Sequence, residues 1–175
     1  MEKNINKKLR SMNNNELYSV IIELVKLRKE NKEWLTAKLF ANEDIQEIIN
    51  IYKKKMDELF FHEIKQVGWQ YRIDISKIKQ VIADFRKISI KPEHYIEILV
   101  NYIEDAIELE KDIGDLYSGF YDSVESVFKQ VISLLNENKE LIPIYKDKLE
   151  KAVSYCHEGW GHKDNMEDIF SLLKD

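Results

Sequence analysis

The stretch Val67–Asp74, VGWQYRID, returns near the other end of the chain as Glu158–Asn165, EGWGHKDN. Each reads Gly-Trp, a spacer, a ring-bearing residue and a basic residue, with Asp close behind. The chain holds only five glycines and three tryptophans, so two of each in one repeated phrase call for a structural reason. Helices commonly end on a glycine in the left-handed conformation, where a Cβ would clash, and the next residue packs back on the last turn. The phrase is therefore read as a helix end followed by a helix start. Trp69 is expected to fold onto Ile64 or Phe60, and Trp160 onto Tyr155. Asp74 and Asp164 are expected to cap the helices that follow, Asp164 with Glu167 close to a capping box.

The likeness continues beyond the phrase. With Trp69 aligned to Trp160, Ile75 matches Met166, Ile78 matches Ile169, Val81-Ile82 matches Leu172-Leu173, and Arg72 coincides with Lys163. A looser third version, SGFYDSVESVFKQV from Ser118, puts Gly119-Phe120 in place of Gly-Trp. Gly68, Gly119 and Gly159 stand 51 and 40 residues apart. Two-helix units with a period of roughly 35–50 residues mark stacked helical hairpins, with each glycine as a hinge.

Apolar spacing is helical throughout, and strand alternation and Asn-Gly turns are missing. Leu17, Ile21, Leu24 and Leu27 form one stripe behind Ser11 and a capping run of Asn, and Trp34, Leu35, Leu39 and Phe40 form a shorter one. A long helix is predicted over Glu43–Gln66, ended by Gly68, and another over Asp74–Lys87. Pro92 opens a helix that stops near Gly114. Further stripes follow Gly119, run from Leu141 to Cys156, and run from Met166 to Leu173. The expectation is a single all-α domain over residues 1–175, about eight helices stacked as helix-turn-helix hairpins.

Composition narrows the function. In 175 residues, 44% are apolar and 34% charged, a balance suited to a folded helical protein. The net charge is −5, from 27 basic and 32 acidic residues, which argues against a nucleic-acid binder even with Lys3, Lys7, Lys8 and Arg10 at the start. A lone cysteine, Cys156, allows no internal disulfide and suggests a cytoplasmic protein. The polar first residues lack a signal-peptide core, and no apolar run is long enough to span a bilayer, so no membrane role is expected.

Candidate sites cluster at the phrases. Arg72 and Lys163 precede helix starts, where aromatic rings and backbone N–H groups suit an anion or an acidic peptide. Trp69, Tyr71, Arg72, Tyr117, Tyr121, Trp160, His162 and Lys163 are the candidate partner-binding residues. Cys156, His157, His162 and Asp164 lie close enough for a metal site, although Cys156 also continues an apolar stripe and no second ligand cluster exists. The acids from Glu110 to Asp122 do not keep EF-hand spacing. His62 and His94 have no catalytic partner in sequence, no phosphate-binding loop occurs, and Lys53–Lys55 read as a wet helix face.

The order NELYSVIIELVK, EIINIYKKKMDELF, GWQYRIDISKIKQVIADF, GFYDSVESVFKQVI and GWGHKDNMEDIF resembles a bacterial family of small all-helical proteins known only as a domain of unknown function. The resemblance covers most of the chain; it implies the fold and supplies no site residues or activity. Helical-hairpin arrays commonly hold a peptide or protein. The functional expectation is therefore a non-catalytic interaction or adaptor module without a cofactor. The alternative is a small metal-binding protein or hydrolytic enzyme built on Cys156, His157 and His162.

Overall fold

The computed structural model describes residues 2–39, 45–67 and 70–174. Among them are nine α-helices: α1 Glu2–Arg10, α2 Asn14–Leu27, α3 Lys29–Leu39, α4 Ile45–Asp57, α5 Ile75–Ile88, α6 Pro92–Ile113, α7 Ser118–Glu137, α8 Ile142–Tyr155 and α9 His162–Phe170. The expected all-α domain is the one observed. The helix beyond the expected set is α1, where Ile5 and Leu9 share a face of an otherwise basic segment.

Local chemistry sets most boundaries. Asn13 and Glu16 form a reciprocal capping box at the start of α2. Asp74 accepts a hydrogen bond from the Lys77 amide and caps α5 as expected. Pro92 occupies the first turn of α6, and Gly114, with φ of 83°, ends it.

The expected helix over Glu43–Gln66 is shorter. Phe40 and Glu43 fall outside the described residues, α4 ends at Asp57, and one π-helical turn follows over Glu58–His62. The wide turn keeps Phe60 fully buried, edge-on to Tyr102 with centroids 5.3 Å apart, while Phe61 also packs on the core. The chain then forms a small antiparallel hairpin, β1 Lys65–Val67 and β2 Gln70–Arg72, with Lys65 opposite Arg72 and Val67 opposite Gln70. Three-residue strands are too short to show an alternation in sequence. The packing expected of Gly68 and Trp69 lies outside the described residues.

The hinge reading needs two corrections. Gly119 sits inside the first turn of α7, and the positive-φ glycine that ends α6 is Gly114. At the closing phrase, Trp160 and Gly161 take positive φ, of 58° and 71°, and Gly159 does not. Gly159 is needed for a close approach: a Cβ there would sit 2.7 Å from His157 Nδ1, which accepts the Gly159 amide. Asp164 lies in the first turn of α9 rather than at its cap, favourably placed toward the helix dipole.

α6 is the spine. Ile96, Ile98, Leu99, Tyr102, Ile103 and Ala106 are all buried, and the helix packs on α4, α5, α7 and α8. α9 returns to α7 and α8. Four helices, α4, α5, α7 and α8, therefore pack around one rod. Each fully buried Ile, Leu or Phe contributes roughly 1.5–3 kcal/mol of apolar transfer. Among the described residues the buried apolar core runs from Ile45 to Met166, with no member from α1, α2 or α3.

Candidate functional site

The expected site residues fall into two groups that both lean on the segment 114–121. Arg72 lies over the Tyr117 ring, 5.8 Å from its centroid, and the Tyr117 hydroxyl donates to the Ile73 carbonyl. With Lys65, Lys77 and Glu63 they line a shallow groove of about 420 Å3 beside the start of α5. Tyr71 is exposed on β2; Trp69 lies outside the described residues. In the second group, the Tyr121 hydroxyl accepts the Leu116 amide and donates to Asp115. Trp160 Nε1 donates to the same Asp115 oxygen at 3.1 Å, and Lys163 pairs with Glu158 at 3.6 Å. The Tyr117, Phe120 and Tyr121 rings link the two groups in series, at 6.4 and 5.6 Å.

Two of these residues cannot meet a partner. His162 is 0% exposed and Tyr121 is buried, their rings 4.7 Å apart. His162 Nδ1 is 2.7 Å from Glu125 on α7, and Nε2 is 3.4 Å from Glu110 on α6. Burial opposes the imidazolium, but the two carboxylates outweigh it and hold the His162 pKa above its ordinary value. The other Glu110 oxygen accepts the His157 amide at 3.0 Å. This buried ionic clamp fastens the start of α9 to α6 and α7. Trp160 does not fold onto Tyr155; it is 70% exposed, and Tyr155 instead lies under Lys111 at 3.8 Å.

The four candidate metal ligands do not converge. The Cys156 thiol is buried, donates to the Val153 carbonyl, and has its pKa pushed up to about 12, chiefly by burial. His157 turns to the Gly159 amide, His162 is held between carboxylates, and Asp164 is exposed on α9. Among the described residues no group of three His, Cys, Asp or Glu side chains could hold a metal ion.

The surface that sequence reading missed is the α2–α3 hairpin. α2 has no buried residue: of its stripe Leu17 is half-buried while Ile21, Leu24 and Leu27 are exposed, as are Tyr18 beside them and Trp34 on α3. Ile21, Leu24, Val25, Trp34 and Leu35 line a mainly apolar groove of about 420 Å3, closed at one end by Asn31, whose amide donates to the Leu24 carbonyl. The opposite side of α3 is tied to the body through a polar contact. Buried Glu33 accepts the Tyr52 hydroxyl at 2.6 Å, with Lys29 and Lys55 at 3.6 and 3.9 Å. Two signals were available in sequence. α3, KENKEWLTAKL, is too polar to cover a second apolar stripe, and Glu110 falls in register with buried Ile103 and Ile107.

The chain matches no protein family, no curated protein and no solved structure. Among the described residues no helix is long and apolar enough to cross a membrane.

Proposed function

We propose that the protein is a non-catalytic helical module that holds a protein or peptide partner against the outer face of α2–α3. The observation that carries this is the apolar stripe of α2, which has a regular helical spacing and not one buried residue. A contiguous exposed apolar surface of this kind marks interaction sites more often than plain solvent-facing surface. The Cys156, His157 and His162 alternative gains no support: burial pushes the thiol up to about 12, His162 is fully buried between carboxylates, and half-buried His157 accepts the Gly159 amide.

The test places a photo-crosslinker at Tyr18 in cells, identifies the adduct, and titrates that partner against wild type and the Ile21→Asp/Leu24→Asp double variant. Both residues are exposed, so helicity and thermal stability should hold. Loss of binding at unchanged helicity supports the reading. Unchanged affinity, or the lack of a discrete adduct, overturns it.

A further inference from the structure

We infer that the occupant of the α2–α3 groove is an amphipathic helix with acidic flanks, an inference that rests on the interaction reading above and names its partner. The groove runs between two antiparallel helices, and a hairpin of two helices buries one seam only. A third helix laid along it would complete a three-helix packing with anchors at i, i+3 or i+4, and i+7. An extended peptide is a poorer occupant, because backbone groups inside α2 and α3 are already hydrogen-bonded and offer it no ladder.

Charge decides the flanks. At the α2–α3 turn, next to the groove residues Val25 and Asn31 in sequence, Lys26, Arg28, Lys29 and Lys32 are all exposed, with Glu30 as the one acid between Lys26 and Lys32. Lys29 is engaged by Glu33, while Lys26, Arg28 and Lys32 form no ion pair among the described residues. The asymmetry extends to the whole chain. Residues 1–39 hold nine Lys and Arg against five Asp and Glu, a net +4, while 40–175 hold eighteen against twenty-seven, a net −9. Two copies apposed through this face would bring two net-positive arms together, which disfavours a symmetric pair. An acidic helix pairs with the idle cations and gains rate and register from them, while the apolar anchors supply most of the affinity.

The experiment uses the full chain and two labelled synthetic helical peptides with the same leucine spacing, one flanked by Glu and one by Lys. Phosphatidylserine–phosphatidylcholine vesicles and sedimentation of the protein alone complete it. The expected result is that the Glu-flanked peptide binds about tenfold tighter than the Lys-flanked one. That preference should shrink with added salt and with Arg28→Glu/Lys32→Glu, and all binding should vanish with Ile21→Asp/Leu24→Asp. Equal binding of the two peptides, still lost in the double Asp variant, overturns the acidic partner and leaves the interaction module standing. Vesicle binding lost in that variant, or a dimer it dissociates, replaces the partner with a lipid surface or a second copy. No ligand sensitive to Ile21→Asp/Leu24→Asp overturns both readings.

Discussion

Residues 2–39 and 45–174 obey the same helical spacing and reach opposite outcomes. In the body the apolar faces of α4 to α8 pack mainly on one another, and α6 packs on α4, α5, α7 and α8. In the arm, α2 packs mainly on α3 and has no buried residue, and α3 meets α4 and α5 with no buried apolar side chain among the described residues, its buried contact being Glu33 on Tyr52. Amphipathic spacing states that a helix has a face to cover; it does not state what covers it.

The comparison can be broken first by truncation. Phe128→Ala, in the fully buried core, should cost about 3–5 kcal/mol in urea unfolding, while Leu24→Ala in the arm should cost less than about 0.5 kcal/mol. Similar costs would mean that the arm has a core after all.

Next in size is the clamp. Glu110→Ala should cost about 3 kcal/mol, because it removes one carboxylate from a buried imidazolium. The pH dependence has a definite sign. His162 has a raised folded pKa, so its contribution is complete below the ordinary imidazole value of 6.5 and is lost as pH rises through the folded value. The groups facing it are Glu110, Glu125 and Tyr121, with Cys156 near Glu110; the tyrosine and the thiol are both pushed to about 12 and stay neutral in this window. Asp105, raised to about 7 mainly by burial and then by Asp57, Glu104 and Glu108, adds a loss of the same sign at lower pH. The quantity to measure is therefore the difference in stability between wild type and His162→Gln from about pH 5 to about pH 9. A flat difference would dismiss the clamp.

The smallest effect sharpens the arm's own attachment. Glu33→Ala should cost about 1 kcal/mol, and the cost should be local. Amide exchange should speed up in α2 and α3 and stay unchanged in α6. Uniform acceleration would show that arm and body unfold as one unit.

Much of the body was legible because its cues are local: Asp74 caps α5, Pro92 opens α6, Gly114 closes it, and the stripes of α4 to α8 supply most of the buried core, with Met166 from α9. The hairpin of β1 and β2 was not, since three-residue strands carry no period. Gly119 misled because it matched the glycines of the repeat in sequence, while the positive φ went to Gly114, five residues earlier in the chain. The candidate site was half legible. Sequence proximity brought Trp160, His162 and Lys163 into view, but a histidine beside a helix start reads as exposed until Glu110 and Glu125, far away in sequence, are seen to enclose it.

Cys156 gives the molecule a built-in clock. It is the chain's single thiol, buried and protonated between α8 and the closing turn, and alkylating reagents react with exposed thiolate. Its labelling rate in the native protein therefore counts openings of the C-terminal junction, one molecule at a time, without any engineered probe.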